Sequence, residues 1–91
     1  MTYKLKYTSQ FKKDYKRSKK QGREITLFVE VLEKLRKDEY LGIQFSDHQL
    51  TGNFTGFREC HLNPDWILIY RKDKKTKTIT LTRIGSHSDL F

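Results

Sequence analysis

Residues 57–70, Phe-Arg-Glu-Cys-His-Leu-Asn-Pro-Asp-Trp-Ile-Leu-Ile-Tyr, leave this chain few ways to fold. Two runs rich in aromatic and β-branched residues flank Asn63-Pro64-Asp65. Pro64 has the fixed φ that suits the second position of a tight turn, and Asn63 and Asp65 favour the positions beside it. The pattern predicts a hairpin with strands at 57–62 and 66–72. That hairpin would bring His61 near Asp65 and Trp66, so an imidazole, a carboxylate and an indole would meet at one end of a sheet. Such a meeting is a candidate site for acid–base chemistry.

The segments before the hairpin alternate between strand and helix periods. Residues 3–7, Tyr-Lys-Leu-Lys-Tyr, put Tyr3, Leu5 and Tyr7 on one face and predict a half-buried strand. Thr8 or Ser9 can cap a following helix, in which Phe11, Tyr15 and Ser18 share a face and Gly22 is the stop. A second helix is predicted over 24–38, with Ile25, Phe28, Val29 and Leu32 as its stripe and Leu27, Val31 and Leu35 widening it. The short link through Gly22 implies an antiparallel helical hairpin packed on a sheet. In residues 39–56, Leu41, Ile43 and Phe45 alternate toward the core, and His48 falls in a loop.

After the hairpin, Arg71, Lys72, Lys74, Lys75 and Lys77 crowd a second turn, and residues 78–84 alternate as a last long strand. The tail 85–91 ends on Leu90 and Phe91, which would be poorly placed on a free terminus, so it is expected to dock near the sheet and hold His87. The expected class is α+β: an antiparallel sheet of about four strands with an N-terminal helical hairpin, in the order β-α-α-β-β-β. With 91 residues the chain is expected to form a single domain, 1–91, burying about 60 to 65 per cent of the surface of its unfolded form.

Charge points to the partner. Nineteen Lys and Arg against eleven Asp and Glu give a net charge of +8, a field that attracts polyanions. The excess clusters on the first predicted helix, where Lys12, Lys13, Lys16, Arg17, Lys19 and Lys20 form a polar face offset only by Asp14. Nucleic acid, the ribosome or an acidic protein is the expected partner, with phosphate contact the favoured role of that face and of Lys74, Lys75 and Lys77. One cysteine, Cys60, excludes an intramolecular disulfide and fits a reducing compartment. No run approaches the roughly 20 apolar residues of a membrane span, and no apolar signal region is evident, so a cytoplasmic location without membrane contact is expected.

The reactive side chains narrow the chemistry. Cys60 and His61 are strand neighbours pointing to opposite faces, and no CxxC or HxxxH pair exists, so no metal or other cofactor is expected. Cys60 among aromatics reads as a small buried hydrophobe rather than a nucleophile. Imidazoles, carboxylates and cations remain. That inventory suits RNA cleavage, in which a base takes the proton of the substrate's 2′-hydroxyl, an acid protonates the departing 5′-oxygen, and a cation stabilises the phosphate.

Residues 47–52 (Asp-His-Gln-Leu-Thr-Gly), 56–70 and 83–91 (Arg-Ile-Gly-Ser-His-Ser-Asp-Leu-Phe) resemble the YafQ branch of the RelE-type bacterial toxins. The resemblance spans essentially the whole chain and is most specific at Pro-Asp-Trp-Ile-Leu-Ile-Tyr, while the helices agree in pattern only. It implies the toxin of a type II toxin–antitoxin pair, a metal-independent endoribonuclease that cuts the codon being translated in the ribosomal A site. It also implies a cognate antitoxin that neutralises the toxin in a hetero-oligomer, a monomeric toxin when alone, and operon DNA contacted only through the antitoxin.

Residue by residue, the resemblance places His48, His61, Asp65 and His87 in the active site, with Trp66 and Phe91 nearby as substrate-binding residues, although a hairpin tryptophan in so small a protein also fits the core. His87 is assigned as general acid, because its terminal segment is able to close over the phosphate. Asp65 or His61 would be the base or orient it, and His48 would bind phosphate or share the proton transfer. Arg83, near His87 in sequence, is a candidate for stabilising phosphate charge. A non-catalytic RNA- or ribosome-binding module using the same basic surface is the alternative.

Overall fold

The computed structural model describes residues 2–91 and is built around a strand buried on both sides, β4, Trp66–Asp73. From Trp66 to Tyr70 every side chain is buried, which alternation permits only if both faces of the sheet are covered. β4 pairs antiparallel with β3, Arg58–Asn63, and with β5, Thr78–Gly85, forming the two expected hairpins. Asn63 pairs with Trp66 across the Pro64-Asp65 turn, and the Asn63 side-chain oxygen accepts a 3.1 Å bond from the Asp65 N–H. In the second turn Asp73 Oδ1 accepts from the N–H groups of Lys75 and Thr76.

Two short strands complete the sheet, whose five strands run β1-β5-β4-β3-β2. β1, Lys4–Tyr7, lies parallel to β5 at one edge, a pairing that requires a long crossover. At the other edge, β2, His48–Gln49, pairs antiparallel with β3, so His48 is on a strand and not in the loop its sequence suggested.

α1, Ser9–Lys20, and α2, Ile25–Arg36, cover one face. Thr8 caps α1 by accepting from the Phe11 N–H at 2.9 Å, and its hydroxyl donates to the Thr82 carbonyl of β5 at 2.8 Å. Gly22, at φ 76°, follows the helix end in the left-handed conformation that glycine adopts without penalty. Phe28 packs on Phe11 and Tyr15, with ring centroids 5.8 and 5.4 Å apart. Two periodicity readings need correction. The buried stripe of α2 is Phe28, Val31 and Leu35, leaving Val29 half exposed, and a 3-10 turn at Ile43–Phe45 rotates Ile43 into solvent while Leu41 and Phe45 stay buried.

The opposite face is covered by less. α3, His87–Leu90, drops Leu90 onto Ile67 and Ile69, with Leu50 and Phe57 beside them. The tail is therefore docked, as its apolar end implied. Ser86 and Asp89 form a reciprocal capping box at its start. Among the described residues no helix is long and apolar enough to cross a membrane.

Candidate active site

Strand alternation sorts β3 into two environments. Cys60 points into the helix-covered core and is fully buried, and burial pushes its thiol up, so it is not a nucleophile. Glu59 and His61 point the other way, opposite Ile69 and Ile67. β2 then sets His48 directly across from Glu59. α3 brings in the third imidazole, because the docking of Leu90 seats His87 over His61.

The result is a row of rings along one face. Centroids are 6.3 Å apart for His48 and His61, 5.8 Å for His61 and His87, and 5.8 Å for His87 and Phe91. Phe54, from a turn at Gly52–Phe54, closes the row edge-on to Phe91 at 5.3 Å. Glu59 lies against the row with only 5 % of its surface exposed, its Oε1 2.8 Å from His61 Nε2 and its Oε2 3.8 Å from His48 Nε2. A carboxylate only accepts, so the bond to Glu59 places a proton on Nε2 of His61, and in the neutral ring Nδ1 then carries the lone pair. His48 is held from the other side, its Nδ1 donating to the Ser46 carbonyl at 2.6 Å.

The three histidines are thus brought together, and other sequence candidates are not. Asp65 is exposed at the turn, and among the described residues its hydrogen bond is the backbone one to Asn63, while the carboxylate on His61 is that of Glu59. Trp66 is fully buried on the helix-covered face, its indole N–H donating to Ser18 Oγ at 3.2 Å. The expectation that Trp66 binds substrate is therefore corrected, since an enclosed ring offers no face to a base.

Asp14 is a second correction. It does not offset lysines on a solvated helix face but is fully buried, its Oδ2 accepting from Arg83 Nε at 2.7 Å and the Ile84 N–H at 3.2 Å. Its Oδ1 accepts from Gln10 at 3.0 Å and from Arg83 Nη2 and Arg17 Nη2 at 3.2 Å each. Burial pushes this carboxyl up, but the bonds from Arg83, Gln10 and Ile84 outweigh it and hold the group below its ordinary value. Arg83 and Arg17 are thus both paired with the buried Asp14 while staying partly exposed themselves. Lys12, Lys13, Lys16, Lys19 and Lys20 remain exposed on α1, and Lys74, Lys75 and Lys77 at the β4–β5 turn.

Sequence reasoning missed Glu59, and with it a neighbouring cluster. Asp47 Oδ1 accepts from Tyr70 at 2.7 Å and from Arg58 Nε at 3.2 Å, beside a cavity of about 460 Å³ also lined by Phe57 and Lys72. Burial pushes the Tyr70 hydroxyl up, and the anion of Asp47 adds to that. The spacing of Glu59 and His61 was a signal that they share a face; the pairing with His48 depends on a register that residues 50–57 set. Among the described residues, no group of three or more His, Cys, Asp or Glu side chains is arranged to hold a metal ion.

Helices on one face of the sheet and, on the other, two strand histidines met by the docked C-terminal His87 define the architecture of a RelE-type toxin. Residues 3–91 match the family described as the bacterial toxin of a type II toxin–antitoxin system, YafQ, and the chain belongs to that family. It is 32 % identical over 88 residues to the mRNA interferase toxin YafQ of Escherichia coli K12, covering 96 % of this chain and 94 % of the relative. A metal-bound toxin from Helicobacter pylori superposes with a TM-score of 0.92 at 38 % identity, covering all of both chains. In the E. coli DinJ–YafQ toxin–antitoxin complex the matched chain gives a TM-score of 0.91 at 30 % identity, over 100 % of this chain and 99 % of that one.

Proposed function

We propose that this YafQ-family toxin is a ribosome-dependent endoribonuclease that cuts translated mRNA in the A site by acid–base catalysis. The observation that carries the reading is the His48–His61–His87 row with Glu59 against it. His61, turned by Glu59, has Nδ1 free to take the proton of the 2′-hydroxyl. The 2′-oxygen then attacks the adjacent phosphorus and the bond to the 5′-oxygen breaks. His87 donates the proton that this oxygen needs, leaving a 2′,3′-cyclic phosphate and a 5′-hydroxyl. His48 neutralises charge on the phosphate, Arg83 adds to that field from its partly exposed side, and Phe91 packs against the substrate base.

Asp65 acts, in this scheme, on substrate at the mouth of the site rather than on His61. The exposed lysines of α1 and of the β4–β5 turn grip ribosomal RNA. A cognate antitoxin, as DinJ is for the E. coli relative, would neutralise the cytoplasmic toxin in a hetero-oligomer and alone contact operon DNA.

The test is cleavage of one defined mRNA, free and on programmed ribosomes, by purified toxin in chelator, with the cut ends mapped. Cuts confined to A-site codons, with cyclic phosphate ends and without added metal, support the reading. Tight ribosome binding with no cut would replace it with a non-catalytic ribosome-binding module.

A further inference from the structure

Arg17 belongs by sequence with the lysines of α1, yet its partly exposed side chain reaches across to two carboxylates. Its Nη2 is 3.2 Å from Oδ1 of the buried Asp14 and 3.8 Å from Oδ2 of Asp89. Asp89 is the return half of the capping box that starts α3: its Oδ2 accepts from the Ser86 N–H at 3.2 Å, and its own N–H donates to Ser86 Oγ at 3.2 Å. His87 is the first residue of that helix. Space at this junction is tight, for a Cβ added to Gly85 would lie 3.1 Å from Asp89 Cβ and 3.4 Å from Arg17 Nη2.

A four-residue helix has almost no stability of its own. Its orientation must come from what holds its ends. Leu90 anchors one end in the small core, and the capping box under Arg17 anchors the other. Asp14 in turn is fixed by donors from α1 and β5, so the position of Arg17 is referred to the rigid body of the fold.

We propose that Arg17, held by Asp14, is a positioning residue for His87, fixing α3 and with it the place of the imidazole over His61. The inference rests on the ribonuclease reading for its kinetic part and on geometry alone for its structural part. An error of about 1 Å at a reacting group costs on the order of 10²-fold, so partial loosening of α3 is expected to cost on the order of 10-fold.

The experiment compares wild type, Arg17→Met and Arg17→Lys. Methionine keeps the packed stem and leaves the Arg83, Gln10 and Ile84 bonds to Asp14, so the fold is retained. Single-turnover cleavage at saturating ribosomes should fall about 10-fold in Arg17→Met and recover in large part in Arg17→Lys, whose ammonium can also lie between the two carboxylates. The ring resonances of His87 in the free protein should shift and broaden in Arg17→Met while those of His48 stay in place. Unchanged His87 resonances, or a rate that returns to wild type once ribosomes saturate, would overturn the proposal and leave Arg17 as one more RNA-binding cation. If the wild type itself does not cleave, the ribonuclease reading fails, and the His87 resonances still decide whether Arg17 positions α3.

Discussion

The carboxylate of Glu59 accepts a hydrogen bond of 2.8 Å from Nε2 of His61, two residues along the same strand. Both side chains leave β3 on the face away from the helices, and Glu59 has only 5 % of its surface exposed. With Glu59 as acceptor, the bond places a proton on Nε2 of His61. Glu59→Gln keeps the shape but allows the amide to present its NH₂ and reverse that placement. Single-turnover cleavage should fall by about 10²-fold with ribosome affinity unchanged, as filter binding and quenched-flow rates would report.

In the proposed reaction His87 is the acid, standing in the row between His61 and Phe91. His87→Ala should leave ribosome binding intact and slow single-turnover cleavage by a factor on the order of 10² or more. A substrate whose 5′-oxygen is replaced by sulfur, which leaves without protonation, should recover most of the rate. Equal cleavage of the normal substrate by the variant would remove His87 from the mechanism.

Trp66 separates a core role from substrate binding. If its role is to fill the core and bond Ser18, Trp66→Phe should destabilise the fold by about 1–3 kcal/mol in urea titrations, through reduced volume and a missing buried hydrogen bond. Cleavage at temperatures where the variant is folded should match the wild type. A selective rise in KM would instead return the indole to the substrate.

Asp14 makes stability depend on acid. Its native carboxyl lies below its ordinary value, so its contribution is complete above the unfolded value of about 4 and is lost as pH falls through the lower native one. Wild type should lose stability steeply below about pH 4, and Asp14→Asn should show a shallower fall. At pH 7 that variant leaves Arg83 without its counter-charge and should be less stable by about 3 kcal/mol. Urea midpoints at pH 7 and pH 3 measure both effects.

In the proposed reading the exposed lysines act at longer range, on ribosomal RNA. Replacing Lys12, Lys13 and Lys16 with alanine should weaken ribosome association and flatten its salt dependence, by roughly 0.7 in log–log slope for each phosphate no longer neutralised. The rate of the bound complex should not change, because α1 lies on the sheet face opposite the histidine row. A salt response as steep as that of the wild type would assign RNA binding to another surface.

Much of the fold was legible because it follows from local rules. Pro64 between two β-rich runs sets one hairpin, Thr8 and Gly22 bound a helix, and apolar Leu90 at the end of the chain predicts a docked tail. His61 was a candidate from its hairpin setting, whereas the grouping of His48, His61 and His87 came from the resemblance to the RelE-type toxins. Where a local rule met a competing constraint it failed. Alternation put Ile43 inside, and a 3-10 turn put it outside; a helical stripe included Val29, which the sheet does not reach.

What the sequence by itself determined is an α+β chain with two hairpins, a basic first helix and three imidazoles available for proton transfer. Tertiary structure alone decided which groups those imidazoles meet. Glu59 rather than Asp65 stands at His61 because strand alternation and the register across residues 50–57 place it there. Asp14 and Arg83, 69 residues apart, pair because α1 packs on β5, and that packing turns an apparent surface charge into a buried clasp. Such pairings depend on how distant segments pack, and a buried carboxylate is stable only when donors from those segments arrive together.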